Sequence, residues 1–275
     1  MNSAWDQAFP DRIHDAAGRR VTQRMRWGLR ALTTLPWAQD VGHDAQPEAL
    51  LRVLKEAATP LVVLDLPAGM SAELPEGHPA WSLARHTRQL PLHSNTDPVE
   101  AWPAHRRKQI RRAEREGMTP ERTEDVALMV DLHQRARHRK GLHSDGTALE
   151  QLLRALLLEE HTHAWVVRNA DGQPLAGGVF HRAEDERCIY GFGGQVRGAK
   201  SGVSSRASVM LLGAAMRHAA STGCTTFDFG GSQDAGVDRF YAEFGAEKVN
   251  KVKWVQIRGI WKALLRWRRP DLFPR

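Results

Sequence analysis

Residues 224–247, CTTFDFGGSQDAGVDRFYAEFGAE, combine groups that can move protons with glycines that can clear space around them. The apolar start predicts a buried strand that ends at Asp228 and the pair Gly230-Gly231. A loop follows, and then a short aromatic helix that carries Tyr241. A carboxylate at the carboxyl end of a strand and a phenol on the next helix are candidates for a general base and a general acid.

Each of these two side chains also has a structural interpretation. Asp228 can accept hydrogen bonds from the Gly-Ser-Gln loop that follows it. Tyr241 can be a core aromatic residue that packs with Phe240 and Phe244. The sequence leaves both interpretations open for both residues.

A glycine-rich strand and a polar loop precede this stretch. Residues 187–194, RCIYGFGG, predict a strand whose glycines permit a bulge, tight packing or the close approach of a ligand. The loop QVRGAKSG follows, and residues 203–222 predict a long amphipathic helix. Glycine amides, a helix N-terminus and the side chain of Arg197 or Lys200 together suit a bound anion.

The remaining elements alternate between helices and strands. The first half is less regular, with a predicted helix at 47–58 and predicted strands at 61–66 and 81–92. A basic helix at 102–117 follows, then two more helices, the second of which opens with a capping box at Thr147. A hairpin, the glycine-rich strand and a last strand at 248–257 complete a mixed α/β fold.

Composition and charge limit the class of protein. No run of about 18 apolar residues exists, which excludes a membrane-spanning helix. The N-terminal residues carry early acids and no apolar core, so we expect no secretory signal and a cytoplasmic location. The net charge of +7 favours an anionic partner such as RNA, a nucleotide cofactor or an acidic membrane surface. A coding bias toward arginine explains this charge equally well.

Metal binding and disulfide formation are not expected. Cys188 and Cys224 are the two cysteines, and both lie in apolar segments typical of reduced core thiols. His161 and His163 are close in sequence, but nothing nearby completes a set of ligands for zinc. His133 lies on the apolar face of a predicted helix, where a histidine is more often a satisfied core residue than a ligand.

Three segments, by their order and spacing, resemble the GNAT acyltransferases and, within them, the FemABX-type branch of peptidoglycan bridge aminoacyltransferases. These segments are RRKQIRRAEREGM, AGGVFHRAEDERCIYGFGG and FDFGGSQDAGVDRFYAEFGAE. The resemblance covers residues 102–257. It implies a degenerate, abbreviated GNAT-like lobe at 1–100 and a more complete GNAT domain at 101–258, followed by a basic tail at 259–275.

The resemblance also implies acyl transfer to an amine. In this fold two parallel strands part, and a backbone N–H in the gap polarises the acyl carbonyl. Asp228 would accept or orient a proton of the attacking amine, and Tyr241 would donate a proton to the leaving group. The residues expected to bind the donor are Gly193, Gly194, Gln195, Arg197, Gly198, Lys200, Ser204 and Ser205.

Two departures from the family pattern concern the donor. GNAT enzymes that use coenzyme A carry Q/R-x-x-G-x-G/A before the long helix, whereas this chain has QVRGAK and ends the motif in Lys200. FemABX-type enzymes commonly carry lysine in the helix where this chain has Tyr241. The donor is therefore either aminoacyl-tRNA, with a peptidoglycan precursor as the acceptor, or acyl-CoA, with a small amine as the acceptor. A third alternative is a non-catalytic GNAT-like module that binds RNA or another anion.

The tail GIWKALLRWRRPDLFPR predicts a basic amphipathic helix. Its apolar residues can share one broad face: Ile260, Trp261, Leu264, Leu265 and Trp267. Such a helix fits a peripheral membrane anchor, and the alternative is a helix that packs on its own domain.

Overall fold

The structure is a computed structural model. It describes residues 4–9, 13–16, 19–26, 28–35, 37, 47–70, 73–142, 145–183, 185–196, 202–231 and 234–274. The helices and strands, in chain order, are α1 Ala4–Ala8, β1 Ile13–Ala16, β2 Arg19–Arg26, β3 Leu29–Thr34, α2 Pro47–Glu56, β4 Leu61–Asp65, β5 Trp81–Pro91, α3 Ala104–Arg115, β6 Thr119–Thr123, α4 Val126–His138, α5 Gly146–Leu156, β7 Thr162–Arg168, β8 Pro174–Arg182, β9 Arg187–Gln195, α6 Val203–Ser221, β10 Thr226–Asp228, α7 Ala235–Ala242, β11 Glu247–Ile257, α8 Trp261–Arg268 and a 3-10 turn Pro270–Leu272.

The chain divides into two compact units. One contains Met1–Ala8 and Arg88–Glu247, and the other contains Phe9–Thr87 and Lys248–Arg275. The predicted division into residues 1–100, 101–258 and 259–275 stays a prediction. The mixed α/β class is confirmed, because both units combine parallel and antiparallel strand pairs with helices.

The sheet of the first unit has the order β5-β10-β9-β8-β7-β6. Strands β6 to β9 are antiparallel neighbours, with Val166 opposite Gly177 between β7 and β8. Strand β10 is parallel to β9 and antiparallel to the end of β5. Because β9 and β10 are joined through α6, this parallel pair is a β-α-β crossover inside an otherwise antiparallel sheet.

Helix α6 forms the centre of the core of the first unit. Apolar residues at helical spacing place Val209, Met216 and Ala219 of α6 in a buried cluster with Phe227 of β10. Trp102 packs edge-to-face on Phe244, with ring centroids 4.7 Å apart. This core fixes β10 against the long helix, and the candidate site lies at the carboxyl end of β10.

The second unit contains a group of neighbouring strands and has its own apolar core. Its strand order is β1-β2-β3-β4-β11, in which β3 and β4 are parallel and the other neighbours are antiparallel. Leu50 and Leu54 of α2 pack on one face of β4, in a cluster with Trp254 of β11. The other cluster of this unit contains Leu265 of α8.

Two glycine pairs on β8 and β9 let bulky groups lie directly on the sheet. Gly178 pairs with Gly193, and a Cβ added at either would come within 2.6 Å of the Tyr190 ring. Gly177 pairs with Gly194, and a Cβ at Gly194 would lie 2.1 Å from the backbone oxygen of Leu132 in α4. The absence of side chains is therefore required for packing on these strands.

Most predicted elements are confirmed, with local corrections. The predicted capping box at Thr147 is wrong, because α5 begins earlier: Asp145 is the N-cap and accepts a hydrogen bond from the amide of Ala148. Gly117 follows α3 with a φ of 73°, as the sequence predicts. Strands β1, β2, β3 and β6 were not predicted. Among the described residues, no helix combines the length and apolarity needed to cross a membrane.

The substitution Gly194→Ala tests the close packing of α4 on β9. The new methyl group would meet the Leu132 carbonyl oxygen, which is backbone and cannot rotate away. We expect a loss of about 1–3 kcal/mol in the free energy of unfolding, measured by urea denaturation. Gly236→Ala is the matched control, because its nearest neighbour is a side-chain oxygen at 3.2 Å, and no comparable loss is expected there.

Candidate active site

Strands β9 and β10 part at the centre of the first unit. Their ladder has three residue pairs and ends where Asp228 lies opposite Ile189. Strand β9 continues from Tyr190 to Gln195, whereas β10 ends at Asp228. The next residue, Phe229, donates its amide hydrogen to the backbone oxygen of Arg88 in β5. We call this place, where residues 191–195 of β9 continue beyond the last residue pair with β10, the strand split.

A glycine turn follows β10 at this point. Gly230 and Gly231 have φ angles of 75° and 77°, which non-glycine residues rarely adopt. A Cβ added at Gly230 would lie 2.2 Å from the carbonyl oxygen of Tyr190. Only glycine fits there, since the turn is both left-handed and in contact with the backbone of β9.

Strand β9 carries an irregularity beside the split. The register of β8 and β9 shifts between Val179 and Phe180, so that Phe180 lies opposite Tyr190, Val179 lies opposite Phe192, and Gly191 has no opposite residue. Such a bulge turns the following backbone groups, and side chains beyond it change face. This explains how the Tyr190 ring reaches across to Gly193 on its own strand.

Asp228 is completely buried, and three of the donors that hold it belong to the described residues. Its Oδ2 accepts from Nη1 of Arg187 at 3.0 Å and from Nε2 of Gln89 at 2.8 Å, and its Oδ1 accepts from the Gly230 amide at 2.8 Å. Asp185 binds the same guanidinium of Arg187. The carboxylate therefore ties together β5, β9 and the glycine turn. This arrangement favours the structural interpretation of Asp228, as the acceptor of the turn.

Tyr241 lies beside the split and is partly buried in an aromatic cluster. Its ring packs on Phe229 with centroids 4.5 Å apart, and its helix is capped by Asp234, which accepts from the Gly236 and Val237 amides. Burial and the nearby Tyr190 raise the pKa of Tyr241 well above its ordinary value. Burial also raises the pKa of Tyr190, to about 12. Both tyrosines of the chain are thus neutral phenols on the same side of β10.

The predicted donor-binding residues lie along the end of β9 and the start of α6. Gln195 accepts a hydrogen bond from Ser208 at 2.9 Å, and Ser204 donates to the backbone oxygen of Val196 at 2.6 Å. These bonds fix the helix N-terminus to the strand end. Ser205 is partly exposed on the first turn of α6. Gly193 and Gly194 are the glycines of β9 against which the Tyr190 ring and the α4 backbone pack. Arg197, Gly198 and Lys200 lie outside the described residues.

The basic helix α3 has an inward and an outward set of cations. Arg106 is buried, binds Glu243, and lies 4.5 Å above the Phe240 ring and 4.7 Å above the Phe244 ring. It therefore supports α7, the helix of Tyr241. Glu116 receives both Arg112 and the buried Arg206 of α6.

The outward set forms an open basic surface. A cleft of about 620 Å³ is lined by Lys108, Arg111, Arg112, Glu114 and Arg115. We call Lys108, Arg111 and Arg115 the basic face of α3; no ion pair joins these three side chains to other described residues. Arg106 and Arg112 are thus bound to carboxylates of the protein, whereas the basic face stays available to an anion.

His133 of α4 lies beside β9 without a described hydrogen-bond partner, which the sequence did not predict. It is 9% exposed, its ring lies 5.5 Å from the Phe192 ring of β9, and neither ring nitrogen has a hydrogen-bond partner among the described residues. Burial and then the charge of Arg137 lower the pKa of His133 to about 4. The expected satisfied core histidine is buried, but it is a neutral imidazole without a described partner. The apolar face of the predicted helix indicated that His133 is buried. No sequence pattern indicated that its ring nitrogens lack hydrogen-bond partners among the described residues.

Metal and disulfide chemistry find no support in the part of the chain that the structure describes. No group of three or more His, Cys, Asp or Glu side chains there is arranged to hold a metal ion. Cys188 and Cys224 are both buried free thiols. The hydrogen bond between them, together with burial, raises the pKa of the Cys188 thiol.

Comparison with known proteins decides the family. Residues 104–242 match the sequence profile of the acetyltransferase (GNAT) domain, which is half of the chain. The chain belongs to the GNAT family. It is therefore an acyltransferase, and the matched GNAT region contains α3, both strands of the split and Tyr241. No curated protein sequence matches this GNAT chain significantly.

Solved structures extend the GNAT likeness to both units. FemX aligns with a TM-score of 0.61 at 14% identity, covering 96% of this chain and 92% of FemX. L-PGS from Bacillus licheniformis aligns with a TM-score of 0.62 at 11% identity, covering 97% and 90%. The C-terminal domain of a protein assigned as lysylphosphatidylglycerol synthetase from Agrobacterium fabrum aligns at 0.60 and 13%, covering 99% and 93%. At these identities the likeness concerns the fold, and it confirms the FemABX-like GNAT architecture.

The substitution Asp228→Asn separates a structural from a catalytic carboxylate. It leaves Arg187 buried with a weaker partner, so we expect a loss of about 3 kcal/mol in the free energy of unfolding, measured by denaturant titration. If the role is structural, turnover per folded molecule at low temperature falls less than about ten-fold. Asp185→Asn, which removes the more exposed partner of Arg187, is the control and should cost less stability. A folded but inactive Asp228→Asn variant would instead identify a catalytic base.

Proposed function

We propose that this protein transfers an aminoacyl or acyl group from an activated ester or thioester donor to an amine acceptor, and that the transfer takes place at the strand split. The observation that supports this most directly is the end of the β9–β10 ladder at Asp228, with Tyr241 beside it. Acyl transfer needs a place where the donor carbonyl meets fixed hydrogen-bond donors, and a strand that loses its neighbour provides such groups.

The backbone of β9 is the proposed oxyanion-stabilising element. Its residues Phe192 to Gln195 pair with β8 on one side and have no β10 partner on the other. The bulge at Gly191 changes the direction of the amides that follow it. A backbone N–H in this position stabilises the negative charge that develops on the carbonyl oxygen during attack by the amine.

Tyr241 is the proposed general acid. Its raised pKa keeps the phenol protonated throughout the neutral and mildly alkaline range, so it can donate a proton but does not act as a base. In the reaction, the amine forms a bond to the acyl carbon, the bond from that carbon to the leaving oxygen or sulfur breaks, and the leaving atom takes the tyrosine proton. The proton lost by the amine returns the tyrosine to its neutral form through solvent.

The amine must also lose its charge before attack. Asp228 stays the predicted residue for orienting this amine, although its three hydrogen bonds bind it within the protein. His133 is a second candidate, because it is neutral and neither ring nitrogen is bonded to a described residue.

An aminoacyl-tRNA is the first candidate donor, with an amine of a peptidoglycan precursor as the acceptor. The basic face of α3 carries three cations along one side of the helix, and phosphate neutralisation dominates the binding of nucleic acids. FemX, whose fold this chain shares, belongs to the branch in which the resemblance implies such a donor. A charged tRNA would also place the reaction in the cytoplasm.

Acyl-CoA is the second candidate donor, with a small amine as the acceptor. Two features support it, namely Tyr241 in place of the FemABX lysine and the retention of Gln195 before the long helix. The N-cap of α6 is Gly202, whose lack of a side chain suits a phosphate bound at the helix N-terminus.

The substitution Tyr241→Phe tests the general acid. We expect kcat to fall by about 10²–10⁴-fold, measured by transfer of a labelled acyl group to an amine, while the unfolding midpoint changes little. Tyr190→Phe removes the hydroxyl of the other buried tyrosine and is the matched control. Full activity of Tyr241→Phe, or an equal loss in Tyr190→Phe, would contradict the assignment.

The donor is identified by comparing the stabilisation of the protein by acetyl-CoA and by charged tRNA. If the donor is tRNA, the variant with Lys108, Arg111 and Arg115 all changed to Ala should bind it more weakly. The slope of log affinity against log salt should become shallower by about one for each phosphate that the variant no longer neutralises. Changing Arg135 and Arg154 to Ala removes exposed cations of α4 and α5 and serves as the control. Stabilisation by acetyl-CoA alone would select the second donor.

A further inference from the structure

The C-terminal helix α8 is fixed to the second unit by one of its faces. Leu265 is 1% exposed and lies in the apolar cluster of that unit, with the partly buried Trp261 packed against it. The chain after the helix is held too, because the Trp81 indole donates to the Leu272 carbonyl oxygen at 2.7 Å and the Phe273 ring stacks on it at 5.2 Å. The helix therefore has a defined orientation.

Its opposite face is apolar as well. Ile260 is 83% exposed, Trp267 is 79% exposed and Leu264 is 37% exposed. Together with the exposed Ala263 they recur at helical spacing of three and four residues, so they form one stripe. We call Ile260, Ala263, Leu264 and Trp267 the outward stripe.

The outward stripe is unusual on the described surface. Only five large apolar side chains are strongly exposed among the described residues, and three of them belong to this stripe, whereas the others are Leu142 and Leu158. A helix that packs on its own domain needs one apolar face, and this helix already has that face in Trp261 and Leu265. The sequence prediction of a single broad apolar face is therefore wrong, because the structure divides its residues between two sides.

The outward stripe is bordered by cations. Lys262, Arg266 and Arg268 are all exposed, and residues 259–269 contain no acid. Lys262 and Arg266 lie over the Trp81 and Phe273 rings at 5.4 and 5.2 Å, so their positions are fixed beside the stripe. Arg268 has no ion-pair partner in the part of the chain that is described.

We propose that the outward stripe docks this protein on an anionic lipid surface, with Ile260, Leu264 and Trp267 inserted at the level of the headgroups. Tryptophan favours the interface between headgroups and acyl chains, and cations beside an apolar stripe match the negative potential of anionic lipids. A second copy of the chain suits the patch less well, because a two-fold contact would place the same cations opposite each other. The proposal goes beyond acyl transfer and is independent of the donor.

Sedimentation with vesicles tests the proposal on the full chain. We expect the protein to sediment with vesicles of phosphatidylcholine mixed with phosphatidylglycerol, and much less with phosphatidylcholine alone. The variant Ile260→Ser, Leu264→Ser and Trp267→Ser should weaken this binding at least about ten-fold. Replacing Lys262, Arg266 and Arg268 by Gln should remove the preference for anionic vesicles.

The control variant is Leu142→Ser with Leu158→Ser, which removes the exposed apolar side chains of the first unit and should bind vesicles normally. Circular dichroism melts should be unchanged in all variants, since every substituted side chain is exposed. If the triple Ser variant melts early, Ile260→Ser alone replaces it. The proposal fails if the wild-type protein stays in the supernatant or if the triple Ser variant sediments equally. It also fails if light scattering shows a dimer that this variant abolishes while no vesicles are bound.

Discussion

The buried ion pair between Asp228 and Arg187 is the interaction on which the site depends. A carboxylate removed from water must be matched by donors, and here the donors come from β5, from β9 and from the glycine turn. These donors hold β5, β9 and the glycine turn around the end of β10. The pair therefore fixes where the β9–β10 ladder ends, one residue before the chain departs. An apolar pair of equal volume would pack as well but would not specify the direction of the turn.

The same opening requires glycine for two different reasons. At Gly230 the backbone is left-handed and touches the Tyr190 carbonyl, so both conformation and space exclude a side chain. On β9 the limit is packing alone, because the ring of Tyr190 lies on one face of the sheet and the backbone of α4 lies on the other. Glycines near an active site thus serve to place neighbouring groups, and the close approach of a ligand is an additional use of the same freedom.

The order of the elements in residues 102–257 can be predicted from the sequence more completely than the contacts between them. Alternating and helical periodicities predict β7 to β9, α6 and β11, because each of these elements buries one continuous apolar face. Strand β10 begins at Thr226, two residues after the start of the apolar segment, and ends at Asp228 as predicted. The three donors of Asp228 come from positions 89, 187 and 230, and no local pattern links residues so far apart. The same limit applies to His133. The periodicity of its helix predicts that it is buried, but it does not predict which hydrogen bonds the ring forms.

The charged residues of this chain have three separate roles, which the net charge of +7 does not distinguish. Arg106, Arg187 and Arg206 are buried and paired with carboxylates, so they hold helices and strands in place. The basic face of α3 and the cations of α8 are exposed, and each lies on a helix whose other face is packed. Buried pairs contribute little to the field outside the protein, so that field depends on exposed cations, and these two sets are clusters of them. An anionic donor or surface is therefore attracted by a few defined residues, and the net charge alone predicts neither which residues act nor where the partner binds.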